Sequence, residues 1–561
     1  MRPVHRIALA LLLAGPLSVP AFAVEPEAPN ALVTRSEAVR IAVQNRLSAK
    51  FKETSKHKTD EQGALVEYYA VPDQKLLWVD ENGLTARAKS VIDEIRQADD
   101  YGLRASDYEL PDAASFDASA ANAPEWLADA EVTISFAVLD YAHDARGGRL
   151  DPQRISRNLD PQLALPNPTE VIESVAIRSD PAAYLRSFQP DQPQFEALRR
   201  KLIELRGGKT KPEPEPKVAV KLPEGPALKF GIRHPQVALL RARLEVQSDG
   251  GADEEMFDDS VLEAVKEFQS AHGSYADGVV GPGTRRLMNE PNKRQAKGGA
   301  ASIRSILLNM ERWRWLPHDL GAFYVTVNIP EFTLRVVKDD EPIHTTRVIV
   351  GKTITQTPIF SNEMRTVVFG PYWHVPNSIK VDEIRPYLRQ EASWFFGGGG
   401  WNTTVLQRHG LRVRYGGREV DPRSLDWNRI DIRSLELYQP PGPGNVLGKV
   451  KFMFPNKHDV YMHDTNQKQL FARGARAESH GCMRVQNPDQ LAAIIMGYDQ
   501  GWSRARVLSA MDDSYDRQVP LRQKIPVHIT YFTAKVNPDG SVSTFGDLYG
   551  HDARMAAALG L

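Results

Sequence analysis

The single cysteine of this 561-residue chain, Cys482, lies in Ser479-His480-Gly481-Cys482-Met483-Arg484, and His463 precedes Ser479 with fifteen residues between them. Three readings fit such a set: a nucleophilic thiol with an imidazole base, a metal held by His463, His480 and Cys482, or a buried apolar thiol without chemistry. A thiol with a pKa of about 8.5 is only a few per cent thiolate at neutral pH, so a nucleophile needs a base beside it. His463 ends the predicted strand Val460-Tyr461-Met462, which would fix the imidazole, and the chain has room to loop back beside it. The second ring nitrogen of such a base must be held, here by the carbonyl of Asp464 or by its carboxylate. Gly481 lets the N–H groups of Gly481 and Cys482 face a developing oxyanion with no Cβ in the way. His480 either lines the site or bonds within its own loop. Arg484 falls on the side of Cys482 in an extended chain, where it recognises a substrate carboxylate or forms a structural ion pair.

Other chemistries fail on spacing. No histidine is followed by glutamate, which removes the helical zinc-protease pattern, and no G-x-S-x-G elbow occurs. The stretch Gly442 to Lys449 lacks a phosphate loop's first glycine, because Pro443 stands there, and Val450 replaces its hydroxyl residue. With 70 basic and 71 acidic residues, the formal charge of −1 gives no nucleic-acid footprint. Arg2, His5 and Arg6 precede the apolar run Ile7 to Leu17, and Ala21-Phe22-Ala23 follows, so residues 1–23 read as a signal peptide. No later stretch approaches a membrane span. The expected product is an exported, soluble periplasmic protein. In an oxidising compartment one unpaired cysteine is a hazard, which favours a chemical role for it.

The elements around the motif divide the chain. Residues 24–65 read as a polar segment with one helix over Ser36–Lys50, and 66–206 as a helical domain in which Val132, Phe136 and Leu139 keep the 3.6-residue period. An alternating Pro/charge stretch marks a linker over 207–227. Residues 228–292 read as three short helices with Val237, Leu240, Leu244, Phe257, Val261, Val265, Phe268 and Leu287 as core. From 303 to 550 β-type segments dominate: Phe323–Asn328, Phe332–Val336, Arg347–Val350, Val450–Phe454 and Pro526–Phe532. The last is expected to pair with Ser541–Phe545 through Asn537-Pro538-Asp539-Gly540. An insertion over about 376–447, with a helix over Val381–Arg389, Trp394-Phe395-Phe396 and four glycines from Gly397, forms either a movable lid or a small packing unit. The fold class is thus multidomain α+β with a mainly β catalytic domain.

Two resemblances follow from these residues. Gln236-Val237, Leu240, Phe257, Ala264-Val265, Phe268-Gln269, Asp277 to Gly281 and Thr284 resemble the peptidoglycan-binding domain of wall enzymes, which implies glycan contact or a spacer role for 228–292. His463, fifteen residues, then Ser-His-Gly-Cys, a hydrophobe and Arg resembles the signature of L,D-transpeptidases with the YkuD-type catalytic domain. Val350-Gly351-Lys352, Thr357-Pro358-Ile359-Phe360, Tyr372 to Ile379, Pro441 to Phe452 and Phe454-Pro455-Asn456 extend the resemblance to the large Gram-negative members, which carry scaffold, peptidoglycan-binding and capping parts. Leu77-Trp78-Val79 and Ala145 to Arg149 extend it, more loosely, to the scaffold. Arg484 departs from the Asn of many smaller relatives, and the run Gly397–Gly400 is peculiar to this chain.

The resemblance implies Cys482 as nucleophile, His463 as base, Gly481 and Asp464 as oxyanion and orienting groups, and Ser479, His480, Arg484, Tyr461 and Trp373 around the substrate. It implies 3→3 cross-linking of peptidoglycan stems through a cysteine thioester, with release of D-Ala from tetrapeptides, no cofactor or metal, and sensitivity chiefly to carbapenems. Carboxypeptidase or D-amino-acid exchange at the same site, or a non-catalytic wall-binding scaffold, are the alternatives.

Overall fold

Period-two alternation from Phe323 onward builds the main sheet. Its strands are β1 (Phe323–Asn328), β2 (Thr333–Lys338), β3 (Glu341–Gly351), β4 (Phe360–Phe369), β5 (Val450–Met453), β6 (Met462–His463), β7 (Ala477–Ser479), β8 (Met483–Val485) and β9 (Arg517–Thr530). They form one sheet in the order β7-β3-β8-β6-β5-β4-β9-β1-β2, and β2 also pairs with β3, so the sheet closes on itself. Closure removes the open edges that an isolated sheet would expose. Val325, Val327, Leu334, Val336, Val367, Phe369, Val450 and Phe452 fill its core, capped by the helices Pro488–Gln500, Arg504–Asp512 and His551–Leu559. Asp339 and Asp340 both take positive φ, 50° and 65°, in the tight turn between β2 and β3.

The computed structural model describes residues 35–49, 56–71, 74–207, 221–244, 246, 253–271, 278–289, 298–389, 401–513 and 515–561. The expected signal peptide, the Pro/charge stretch over 211–217, Asp277 and the run from Trp394 to Gly400 lie outside them. Among the described residues no helix is long and apolar enough to cross a membrane.

The helical domain begins earlier than its composition suggests. Helices Arg35–Ser48 and Lys56–Ala70 bury Val39, Val43, Leu47, Leu65 and Tyr69 against the long helix Ala123–Gly147, so part of the expected polar segment 24–65 belongs to this core. Widely spaced apolar residues on a charged helix hide that face from a composition reading. Buried Glu131 organises the domain: its carboxylate accepts from Tyr69 Oη and from the N–H groups of Leu77 (2.6 Å), Trp78 (2.9 Å) and Val79 (3.1 Å).

The helices Pro235–Leu244, Asp259–Ala271 and Pro282–Asn289 enclose a small separate core, with Met288 rather than Leu287 fully buried. The insertion starts at Trp373 and has its own sheet, Trp373–His374, Glu436–Gln439, Arg412–Tyr415 and Arg418–Glu419 in that order, and its own apolar core. Where one helix was expected over Val381–Arg389, the chain makes a short α-turn, a π-helical turn over Lys380–Ile384 and a 3₁₀ turn over Arg385–Tyr387, ending around Pro386. A second expectation is also corrected. The partner of Val542–Thr544 is Ala534–Val536, because residues 527–529 are already paired on both sides with β1 and β4.

Scaffold and catalytic units are joined by buried polar contacts. Arg314, fully buried on the helix-end segment before β1, donates to Tyr101 O at 2.6 Å and Gln189 Oε1 at 2.8 Å. Leu159 enters the catalytic core and bridges to Ile359.

Candidate active site

β6 and β8 run parallel, with Met462 opposite Met483 and His463 opposite Arg484. Both methionines are fully buried in the sheet core. Strand alternation therefore sends Tyr461, His463, Cys482 and Arg484 to the other face together. Lys451 joins them from β5, opposite His463, with Nζ 3.8 Å above the Tyr461 ring centroid. The Tyr461 and His463 rings meet edge to face at 5.6 Å.

His463 Nδ1 bonds the carbonyl of Asp464. A carbonyl can only accept, so Nδ1 carries the proton and Nε2 is left with the lone pair a base requires. The Asp464 carboxylate does structural work instead, accepting from Lys449 N at 2.9 Å, Thr465 N at 2.6 Å and Lys468 Nζ. Burial, with Arg484 and Lys451 nearby, pushes the imidazole down to about 3. Burial pushes the Cys482 thiol up to about 11, although Tyr461 hydrogen bonding and the charges of Lys451 and Arg484 pull the other way. Both shifts favour the neutral forms near pH 7. They disfavour the preformed thiolate–imidazolium pair suggested by the sequence, because burial penalises each charge.

The loop that carries Cys482 is held from several sides. Gly481 sits at φ +113°, a conformation that excludes a Cβ without strain. Ser479 Oγ donates to Cys482 O at 2.6 Å and accepts from Gly481 N at 3.1 Å, which makes Ser479 a brace inside the loop. The Sγ of Cys482 faces Asp459 O at 3.9 Å, and Asp459 itself has φ +53°. The neighbouring turn is clamped by Asp160 of the scaffold, whose buried carboxylate takes Lys457 Nζ and His458 Nε2, each at 2.9 Å. These donors outweigh the burial penalty and hold the Asp160 carboxyl below the usual range.

His480 points outward and pairs with Glu383 on the π-helical turn of the insertion. Arg484 Nη1 bonds Gln467 Oε1 at 2.6 Å, and burial lowers its guanidinium below the ordinary value. Trp373 packs against the core of the insertion, and no hydrogen bond or ring contact joins it to His463 or Cys482. The three ligand atoms a zinc site would need, from His463, His480 and Cys482, do not gather within 4.8 Å among the described residues. One group that does, His57, Glu61 and Asp140, lies in the helical domain, with the Lys58 ammonium on both carboxylates.

Residues 322–507 match the family model described as "L,D-transpeptidase catalytic domain". Over these residues the chain is similar to that family. Residues 63–202 match a "Scaffold domain" and 233–288 a "Putative peptidoglycan binding domain". A Haemophilus influenzae protein named "Putative L,D-transpeptidase" is 30% identical over 253 residues, 45% of this chain and 49% of that protein. The chain thus spans about half the length of this curated relative. Among solved structures, an L,D-transpeptidase from Xylanimonas cellulosilytica is 15% identical, with 55% of this chain and 99% of that one covered at TM-score 0.17. One from Mycobacterium smegmatis is 13% identical, covering 37% and 58% at TM-score 0.16. Superpositions this loose carry no weight here.

Around Cys482, the residues that sequence reasoning passed over come from distant parts of the sequence. Lys451 was legible only as the outward member of Val450-Lys451-Phe452; its place beside His463 follows from the β5–β6 register. Thr357 lies in a motif that carries the family resemblance, but its bond to Gly481 O at 2.7 Å spans 124 residues. Tyr549 and Asp160 come from beyond the matched catalytic segment, and no local pattern marks them.

Proposed function

We propose that the chain is a cysteine-dependent L,D-transpeptidase that forms 3→3 cross-links between peptidoglycan stem peptides. The observation that carries this reading is one sheet face bearing Cys482 and a His463 whose Nδ1 is tied to a carbonyl. As the thiol attacks the carbonyl of the third stem residue, meso-diaminopimelate, its proton passes to Nε2. The C–S bond forms while the carbonyl oxygen takes negative charge facing the N–H of Cys482; the Gly481 N–H, expected from the sequence to share that role, is instead taken by Ser479 Oγ. The C–N bond to terminal D-Ala then breaks, and the imidazolium returns its proton to the leaving amine. The side-chain amine of a second stem attacks the thioester, gives up its proton to Nε2 and restores the thiol.

Burial raises the thiol and lowers the imidazole, which favours proton transfer concerted with attack over a preformed thiolate. The cationic side chains Lys451 and Arg484 favour the developing negative charge and a substrate carboxylate. The insertion serves as a cap, touching the nucleophile loop through Glu383 and His480. The basic and apolar N-terminal pattern, together with domains of wall enzymes, supports export to the periplasm, where residues 228–292 bind or space the enzyme from glycan.

Purified tetrapeptide muropeptides provide the test. The wild type should release D-Ala and yield a cross-linked dimer by liquid chromatography and mass spectrometry, and Cys482→Ala should do neither. A wild type with no turnover, or a Cys482→Ala variant that retains it, would make this reading wrong. Trimmed tripeptide without dimer would assign hydrolysis to the same thioester.

A further inference from the structure

The carbonyl of Gly481 and the N–H of Cys482 belong to one planar trans peptide unit and point in opposite directions. Whatever grips that carbonyl therefore aims the amide of the nucleophile. The grip is the hydroxyl of Thr357, which donates to Gly481 O at 2.7 Å and accepts from Gly351 N at 2.8 Å in a fully buried position. Thr357 is held in turn by the Tyr549 hydroxyl, which accepts from Thr357 N at 3.1 Å and donates to Gly351 O at 2.7 Å. Tyr549 is itself fixed through its N–H to the hydroxyl of Tyr531 at 2.7 Å, and Tyr531 donates to Asp547 Oδ1 at 2.8 Å. A Cβ at Gly351 would lie 2.1 Å from Thr355 O, so the close approach that makes this network possible requires glycine there. The chain of bonds begins in the C-terminal segment, outside the matched residues 322–507.

We propose that Thr357 and Tyr549 are positioning residues: Thr357 turns the Gly481–Cys482 peptide so that its N–H meets the oxyanion, and Tyr549 holds Thr357. This rests on the acyl-transfer reading above. Neither side chain touches substrate, so the signature is a loss in the chemical step alone. Removing an oxyanion donor lowers kcat by roughly 10²–10³, and misaiming one should cost about 10–100-fold.

Thr357→Val keeps the shape and deletes the hydroxyl; Thr357→Ser keeps the hydroxyl; Tyr549→Phe acts one bond further away. On D-Ala release from a tetrapeptide, Thr357→Val should lower kcat about 10–100-fold with KM within about twofold, Thr357→Ser should stay within a few-fold of wild type, and Tyr549→Phe should fall between. Alkylation of Cys482 should keep its wild-type pH profile in all three, since thiol and base are untouched. Wild-type kcat in both Thr357→Val and Tyr549→Phe would overturn the inference. So would equal losses in Thr357→Val and Thr357→Ser, or an altered alkylation profile, which would mark general disruption of the loop. An inactive wild type would instead defeat the functional reading, so the two failures are distinguishable.

Discussion

Between pH 6 and 9.5, alkylation of Cys482 by iodoacetamide should accelerate about tenfold per pH unit without a plateau, because the thiolate is the reacting species. With the thiol pushed to about 11, only about one molecule in 10⁴ is thiolate at pH 7, against about one in 10² for the ordinary value of 9.0. A thiolate of higher pKa is intrinsically more nucleophilic, with a Brønsted slope of about 0.4–0.5, which recovers roughly tenfold of that hundredfold deficit. The net rate at pH 7 should be about tenfold below that of an unperturbed thiol of equal access. The slope is the sharper readout, since access scales the rate without bending the profile. His463, pushed down to about 3, stays neutral throughout this range and adds no inflection. Intact-mass kinetics at closely spaced pH values measure it directly, with one cysteine and therefore one product. A rate that is flat from pH 5 to 8 would refute the reasoning, because it would require a thiolate–imidazolium pair already formed in the empty site.

Two further perturbations concern His463 and its surroundings. Gly448 has φ +61°, and a Cβ there would fall 2.3 Å from Asp464 Cγ, so Gly448→Ala should displace the residue whose carbonyl holds His463. The expected result is a stability loss of about 1–3 kcal/mol by denaturant titration with at least a tenfold fall in D-Ala release; unchanged turnover would separate Asp464 from orientation of the base. His463 and His551 are both buried and pushed down to about 3, so the unfolded chain binds protons below pH 6.5 that the folded one does not. Stability is complete above that pH and falls as the solution is acidified, by about 2 kcal/mol per histidine at pH 5, and a flat unfolding curve between pH 7.5 and 5 would contradict this.

Local chemistry made part of this molecule legible. A strand ending in histidine and a glycine before the only cysteine were readable from residue types, and the sheet supplies the register that sets Tyr461, His463, Cys482 and Arg484 on one face. The alternating strands were equally plain, as were the three small helices with Val237, Leu240 and Phe257 inside. What stayed hidden depends on contacts distant in sequence. Helix Lys56–Ala70 looks polar because its buried face is completed only by helices distant in sequence, chiefly Pro168–Ile177, with Arg35–Ser48 and Ala123–Gly147. Lys451 enters the site through strand pairing, and Thr357 and Tyr549 meet across 192 residues. The π-helical turn that offers Glu383 to His480 has no composition of its own. The downward push on His463 and the upward push on Cys482 could not be read either, because burial, more than the identity of the neighbours, sets them.

The assignment of Cys482 as the acyl-forming nucleophile is tested most directly by intact mass after exposure to a carbapenem, followed by peptide mapping. One covalent adduct on Cys482 in the wild type, and none in Cys482→Ala, is the predicted result. An adduct elsewhere, or one that persists in Cys482→Ala, would contradict it.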